Sequence, residues 1–360
     1  MNSIVSGAGF PALAQLIADL GRVQKNFNTL TAQASSGLIS STWSGLGDSA
    51  PIALSLVPQI DNLQSTRRNI DAAGGPAQVT QTAMTRIQSI ASNLLARLPN
   101  LNGINPSAVD TIAATARSDL AQLADLLDSQ YAGIYVFAGQ DSFNPPVPDP
   151  DQIASSGFFT QIQGAVAGLS VNGAAATAAT TLGIASSNTA GTSPFSIFMS
   201  QSAANLSPPS VSVGEGKSRT IGLLASANMN TVSTGASTTG SYMRDLMRAL
   251  ATIGSLSSSQ VNDPNFASLV SDTQSSLSGA ITAMSTDVGI LGEQQSSLDA
   301  MKTTLNDTET ALTAQLSTAQ DVDMAATLSS LTQTQTQLQA SYQLISTTST
   351  LTLTRFLPSG

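Results

Sequence analysis

The sequence contains no cysteine and no histidine. Without cysteine the chain has no disulfide and no thiolate metal site. Histidine is also the commonest general base of enzymes, and cysteine is among their commonest nucleophiles. We therefore predict that the chain is not an enzyme and binds no cofactor or metal.

Charge and long apolar runs are scarce as well. Only 10% of the 360 residues are charged and the net charge is -9, so the chain lacks the basic surface that nucleic acids require. No apolar run approaches the roughly 20 residues that span a bilayer. Residues 1–9 lack the basic start and apolar core of a cleaved signal peptide. We expect no nucleic acid and no membrane partner, and export without a cleaved signal if the chain is exported.

The last quarter of the chain carries the clearest pattern. An apolar or small residue recurs every seven positions, at Leu277, Met284, Leu291, Leu298, Leu305, Leu312 and Ala319. The pattern breaks at residues 321–323 and restarts at Met324, Leu331, Leu338 and Ile345. A seven-residue repeat makes a narrow apolar stripe that another helix must cover. Polar Gln295, Lys302 and Glu309 interrupt a second row, where such residues tend to set register or partner choice.

A matching pattern lies near the other end of the chain. Residues seven apart form two rows, Leu13, Leu20, Phe27 and Ala34 in one and Leu16, Val23 and Leu30 in the other. We infer that the two ends pair with each other, with neighbouring copies, or both. An ordinary helical bundle, in which these stripes form its own core, remains open.

Between the ends, apolar spacing predicts a helix from about residue 52, an interruption at residues 74–76, a helix over 79–98 and another over 106–127. Residues 140–240 are rich in Ser, Thr, Gly and Ala, with one predicted hairpin around residues 214–216. A low-complexity linker is the alternative for residues 174–192. Helix returns near Tyr242, and a long one is predicted to run from Asp263-Pro264 to about Ala319.

These patterns predict a mainly α fold, an elongated rod of long coiled-coil helices formed by both termini with a β-rich inserted outer domain. The expected domains are a terminal coiled-coil assembly domain (1–42 and 320–360), a helical rod domain (43–139 and 241–319) and a β-rich variable insertion (140–240).

Three short motifs could suggest chemistry, and each has a simpler structural interpretation. Residues 216–218 read GKS, like the end of a phosphate-binding loop, but the glycine required five positions earlier is Val211. Asp149 and Asp151 lie in a proline-rich loop without further cation ligands nearby. Asp321 and Asp323 suit a helix end better than an acid pair.

The stretch between Asp323 and Arg355 contains no charged residue. An exposed helix normally stays soluble through charges on its outer face. A long uncharged helix with an apolar stripe is expected where both faces end against protein, which indicates a polymer whose terminus is ordered by assembly.

Several motifs resemble the bacterial flagellin family, and most closely its hook-associated, hook–filament junction branch. Residues 126–139, LLDSQYAGIYVFAG, resemble that branch's characteristic stretch. SSG at 35–37, SGLGD at 44–48, ALSL at 53–56, DVDMA at 321–325 and the segments 338–342 and 353–357 resemble the family's conserved termini. The match spans roughly residues 10–140 and 240–357.

The resemblance implies a structural subunit of the bacterial flagellum, extracellular and exported by the flagellar type III apparatus, with the terminal helices forming an inner coiled-coil layer. It implies other flagellar subunits as partners (copies of itself, hook-associated proteins and flagellin) and an export chaperone. A filament-forming flagellin is the main alternative, and a secreted coiled-coil adhesin or translocator is a further one. The predicted assembly seam is Leu13, Leu16, Leu20, Val23, Phe27, Leu30, Leu298, Leu305, Leu312, Met324, Leu331, Leu338 and Ile345.

Overall fold

The structure is a computed structural model that describes residues 9–102, 106–214, 216–235 and 237–354. The side chains of residues 9–13, 102 and 348–354 lie outside the description. The chain divides into two compact units. The terminal unit comprises the described residues up to 63 and from 307 onward, and the central unit comprises residues 64–306.

Long helices dominate the fold, as the apolar periodicity predicts. In chain order they are α1 (Gly9–Ser36), α2 (Ala50–Arg97), α3 (Pro106–Leu127), α4 (Gly157–Ala167), α5 (Leu169–Asn172), α6 (Ala174–Ser186), α7 (Tyr242–Gly254), α8 (Phe266–Gln320) and α9 (Met324–Thr354). At 1.5 Å per residue the 55 residues of α8 extend about 80 Å. The prediction of a mainly α fold with long helices at both ends is confirmed.

The strands of the described residues form two short antiparallel hairpins. Strand β1 (Gln130–Tyr131) pairs with β2 (Ile134–Tyr135), and β3 (Ser210–Ser212) pairs with β4 (Ser218–Thr220). The second hairpin is the one expected around residues 214–216, with Val211 opposite Arg219. Lys217 and Ser218 thus belong to a turn and a strand, not to a phosphate-binding loop.

The predicted interruption at residues 74–76 is wrong, because α2 continues through it for 48 residues. Glycine and proline weaken an isolated helix, but tertiary packing can override that preference. The side chain of Tyr131 lies against Gly75, where an added Cβ would approach the ring to 2.3 Å. Gly75 therefore makes room for an aromatic ring instead of ending the helix.

The expected β-rich character of residues 140–240 is also wrong. Helices α4, α5 and α6 lie in this segment, and its strand content is the β3–β4 hairpin. Phe158, Ile162 and Val166 are buried at four-residue spacing, which is a helical period that the Ser- and Thr-rich composition hides. The low-complexity alternative for 174–192 gives way to α6, whose small residues Thr177, Ala178 and Thr181 are buried. The wider division into terminal, rod and insertion domains stays a prediction.

The core of the central unit surrounds α7, whose 13 residues are all buried. Helices α3, α4 and α6 pack against it. Residues of α2, α8 and the segment 140–240 belong to the same apolar cluster as α7, including Leu94, Phe137, Phe158, Leu224, Leu250 and Leu277. The segment 140–240 is therefore part of the central core.

Helices α2 and α8 run antiparallel in the central unit, joined by polar contacts. Arg67 Nη1 donates to Asn306 Oδ1 at 2.9 Å, and Gln88 Nε2 donates to Ser285 Oγ at 3.2 Å. In the described part of the chain, no helix is both long enough and apolar enough to cross a membrane.

Candidate assembly surface

The terminal helices α1 and α9 pack against each other in an antiparallel pair. Tyr342 Oη hydrogen bonds to Gln24 Oε1 at 3.1 Å near the middle of the pair. At the end of the pair, Ile39 N donates to the Gln320 carbonyl at 2.6 Å and Val322 N donates to the Gly37 carbonyl at 2.9 Å. The stretches 35–37 and 321–325, far apart in sequence, are therefore adjacent in space.

Local chemistry explains why α8 ends and α9 begins at this point. Gly37 has φ +74°, a left-handed conformation that glycine adopts without a steric penalty and that ends α1. The carboxylate of Asp323 accepts from Ala325 N and Ala326 N at 2.9 and 3.1 Å, so it caps the first turn of α9. The interpretation of residues 321–323 as a helix boundary is confirmed.

The predicted seam of α1 lies where the two helices meet. Leu16, Leu20, Val23, Phe27 and Leu30 are half-buried. Most of the other described side chains of α1 are exposed. Their spacing alternates between four and three residues, the pattern of a coiled-coil contact face. Leu13 lies in α1, but its side chain is outside the described residues.

The seam of α9 follows the same spacing, with one addition and one exception. Leu331, Leu338 and Ile345 are half-buried as expected. A second row, Thr327, Thr334 and Ser341, is buried or half-buried beside them. Met324, at the first position of the helix, is 41% exposed. Apolarity alone missed the second row because its members are small and hydroxylated, although they recur every seven residues.

The three seam residues of α8 are divided between the two units. Leu298 is buried in the central unit, in a small apolar cluster with Ile70 and the hairpin residues Val211 and Ile221. Leu305 packs against that cluster and is half-buried. Leu312 lies in the terminal unit and is half-buried. The structure therefore brings Leu298 and Leu305 together, away from the α1–α9 pair.

The polar residues within the α8 repeat have partners on α2. Gln295 Nε2 donates to the Ala77 carbonyl at 2.8 Å, and Lys302 Nζ lies 2.5 Å from Asp71 Oδ1. Each contact connects two fixed positions along antiparallel helices, so together they oppose sliding of one helix along the other. Register within one molecule, one of the two roles considered for these residues, is what this geometry provides.

Both terminal helices also present apolar side chains to solvent. Ile17 of α1 is 54% exposed, and Leu328, Tyr342 and Leu344 of α9 are 47–56% exposed. Helix α9 contains no charged residue between Met324 and Thr354. Exposed apolar residues on an uncharged helix mark a surface suited to burial against protein.

The 126–139 motif forms a compact corner at the end of α3. Between β1 and β2, Ala132 and Gly133 have φ of 50° and 82°, which defines a tight hairpin turn. After the hairpin, Val136, Phe137 and Ala138 are buried. Gly139 has φ 61°, and an added Cβ there would approach the Ser207 carbonyl oxygen to 2.7 Å. Glycine at this position follows from both backbone conformation and close packing.

One titratable group in this motif has an unusual environment. Burial raises the pKa of Asp128 to about 7, opposed by a hydrogen bond from Val147 N at 2.9 Å, and the charge of Asp125 raises the pKa further. The carboxylate is remote from any further acid pair or metal cluster: among the described residues no group of three acidic, His or Cys side chains could hold a metal ion.

Comparison with known families decides the identity of the chain. The bacterial flagellin N-terminal helical region matches residues 12–142, and the bacterial flagellin C-terminal helical region matches residues 275–357. Together the two matches cover more than half of the chain, including α1, α9 and the 126–139 motif. The chain belongs to the bacterial flagellin family. No curated protein sequence matches it.

Membership of the flagellin family gives the terminal helices their context. Flagellins are structural proteins, so the chain is a structural subunit of the bacterial flagellum, and the prediction that it is not an enzyme is confirmed. Flagellins are exported, polymerise with other flagellar subunits and form the extracellular flagellum. The flagellin matches leave out residues 143–274, which include most of the segment 140–240.

Proposed function

We propose that the chain assembles through the α1–α9 pair and acts at the junction between the flagellar hook and filament. The observation that carries the assembly proposal is the surface of α9, which exposes apolar side chains over 31 residues without a charge. An isolated surface of this kind gains free energy when neighbouring subunits cover it.

The proposed assembly seam has two layers. The half-buried stripes of α1 and α9 hold the pair together, through Leu20, Phe27, Leu331 and Leu338 among others. The opposite sides carry Ile17 and Leu328, each about half-exposed and available to a neighbouring subunit. A subunit built this way needs both ends of its chain, whereas an adhesin would keep binding its target after either end is trimmed.

The junction role rests on the resemblance of residues 126–139 to the junction branch. A junction subunit must contact unlike neighbours on its two sides and stop after a short layer, whereas a filament subunit repeats one contact indefinitely. The polar residues Gln295 and Lys302 lend no support to this choice, because their partners lie in the same molecule. Filament-forming flagellin therefore remains the competing function that the experiment must exclude.

The test is the position of the subunit along purified flagella. Antibody against the chain should label a narrow band at the base of the filament, next to the hook. A matched antibody against the filament subunit of the same cells should label the remaining length. Uniform labelling of the filament by the first antibody would overturn the junction role and leave assembly through the terminal helices intact.

An export chaperone that covers α9 before assembly belongs to the same proposal, as does export without a cleaved signal. A chaperone that binds this helix predicts loss of complex formation, in a binding assay with the two purified proteins, when residues 324–360 are removed. Unchanged binding would place the chaperone site elsewhere.

A further inference from the structure

A cavity of about 330 Å³ lies in the central unit beside the first residue of α7. Its walls come from residues 186–188, 201–203, 226–232 and 239–244. Hydroxyl and amide side chains contribute much of the lining, with Ser226, Ser241 and Arg244 buried at the floor and Ser186 and Gln201 exposed at the rim. This volume is at the lower end of small-molecule sites, about 300–1,000 Å³, and suits one compact ligand.

The guanidinium of Arg244 is a positive group at the floor without a paired carboxylate. Four of its five N–H groups donate to protein acceptors: Nε to the Ser226 carbonyl, Nη1 to the Ala185 and Ser187 carbonyls, and Nη2 to Asn188 Oδ1. Among the described residues, the second Nη2 hydrogen has no acceptor, and no carboxylate lies within ion-pair distance. Phe195, with its ring centroid 5.2 Å from Cζ, restricts the movement of the guanidinium.

Ser241 provides a second, independent sign of a ligand. It occupies the N-cap of α7, but its side chain makes no capping hydrogen bond. The residue is only 7% exposed, and Oγ has no hydrogen-bond partner among the described residues. Buried hydroxyl groups are almost always satisfied, so one that lines a cavity indicates an acceptor supplied from outside the chain. The positive end of the 13-residue helix α7 favours a negative charge at the same place.

Asp245 is the nearest acidic group, and its carboxylate is already engaged. It accepts from Thr238 Oγ1 at 2.5 Å and from Thr239 N at 2.7 Å. Its side chain does not line the cavity. Asp245 therefore does not supply the acceptor that Arg244 Nη2 and Ser241 Oγ lack, although its charge helps to keep Arg244 protonated.

We propose that this cavity binds a small polyhydroxy carboxylate of the hexuronic acid class. The carboxylate accepts from Arg244 Nη2 and Ser241 Oγ, and the sugar hydroxyls replace water at Ser186 and Gln201. Two donors match the two oxygens of a planar carboxylate, whereas a phosphate of similar charge would bring further oxygens without donors. The inference is independent of the proposed junction role.

Isothermal titration of the full chain with glucuronate tests the proposal, with glucose and inorganic phosphate as comparison ligands. Glucuronate should bind saturably at millimolar concentration. Glucose should bind at least about tenfold more weakly because it lacks the group that receives the charge-assisted hydrogen bonds. Phosphate should also bind at least about tenfold more weakly. Absence of saturable glucuronate binding, or equal binding of glucose or phosphate, would overturn it.

Two serine variants make the test specific. Ser241→Ala removes a hydroxyl that has no protein partner, so the fold should persist while glucuronate affinity falls about tenfold. Ser233→Ala is the matched control, since Ser233 Oγ is also buried without a partner but does not line the cavity. Unchanged affinity in Ser241→Ala, or an equal loss in Ser233→Ala, would contradict the assignment.

Discussion

Helices α7 and α9 belong to the same chain but distribute charge in opposite ways. Every residue of α7 is buried, including Arg244, Asp245 and Arg248. In α9 Thr327 is the buried residue among the described side chains 324–347, and the helix carries no charge at all. In a monomeric soluble protein the usual expectation is charge on exposed helices and apolar residues inside.

The difference between these helices follows from the partners that each one has. In α7, Arg248 Nη2 donates to the Ser237 carbonyl at 2.7 Å and Nη1 lies 3.7 Å from Asp272 Oδ2, so the buried charge is compensated within the chain. Helix α9 has α1 on one side and solvent on the other. Its lack of charge is consistent with a surface that neighbouring subunits cover, because unpaired charges buried in that contact would be costly.

The largest expected effect comes from placing charge on the seam of α9. The double substitution Leu331→Asp and Leu338→Asp should abolish assembly, since it buries two unpaired carboxylates between α1 and α9. Sedimentation at rising protein concentration measures this. Thr282→Asp with Thr286→Asp adds the same charge to exposed positions of α8 and should leave assembly in place. Normal polymers from the seam variant would show that the α1–α9 contact is dispensable.

A matched leucine pair separates folding from assembly. Leu250→Ala in α7 removes a fully buried side chain and should lower the free energy of unfolding by about 2–5 kcal/mol. Leu328→Ala in α9 removes a side chain that is 49% exposed, so the monomer should lose less than about 0.5 kcal/mol. Urea unfolding measures both values.

The assembled state should reverse the ranking of Leu328. If neighbouring subunits cover this residue, Leu328→Ala raises the protein concentration needed for polymerisation, whereas Gln333→Ala, at another exposed position of α9, leaves it unchanged. Equal behaviour of the two variants would mean that this side of α9 stays in solvent.

Asp128 extends the comparison to a partly buried carboxylate with weak compensation. Its pKa of about 7 exceeds the value of about 3.9 in an unfolded chain, so the folded state binds the extra proton between these pH values. Stability therefore falls as pH rises from about 4 to about 7. Asp128→Asn should remove this slope and gain on the order of 1 kcal/mol at pH near 8, a figure discounted for partial exposure.

Urea unfolding of wild type and Asp128→Asn at about pH 4.5 and about pH 8 measures that slope. The two proteins should be similar in stability at the lower pH, where the wild-type carboxyl is protonated in the folded state. A gain of equal size at both pH values would indicate a packing effect unrelated to ionisation.

The smallest effect is expected for the exposed ion pair between α2 and α8. Lys302 and Asp71 are each about half-exposed, so their coupling should be below about 1 kcal/mol and should weaken with added salt. A double-mutant cycle with Lys302→Ala and Asp71→Ala measures it. Coupling of several kcal/mol would mean that this contact, unlike an ordinary surface pair, is shielded from solvent.

Periodicity in the sequence was sufficient to locate α1, most of α8 and α9, together with the boundary at residues 321–323. Each of these follows from a local rule: a seven-residue repeat requires a helix with one covered face, and Asp323 caps the next helix. The hairpin at β3–β4 was equally local, since glycines at 214 and 216 separate two short strands. The motif at 126–139 pointed to the family through its residue order.

Other features depended on contacts between residues far apart in the chain. Helix α2 survives its glycine–proline interruption because Tyr131 packs on Gly75 and the core stabilises the helix face, which local propensity does not include. Helices α4 and α6 form from a Ser-, Thr- and Ala-rich sequence because α7 supplies the surface on which their small and apolar residues are buried. Small hydroxylated residues can join a seam, as Thr327 does, only when the partner helix approaches closely.

Sequence by itself determined that this chain has helical ends with matching stripes and an uncharged α9, because those properties depend on residue order alone. Tertiary structure decided which residues those stripes meet. It placed Leu298 in the central core, left Met324 exposed, and gave Gln295 and Lys302 partners on α2. The physical reason is that a repeat specifies which face of a helix needs cover, whereas the identity of the cover depends on how distant segments pack together.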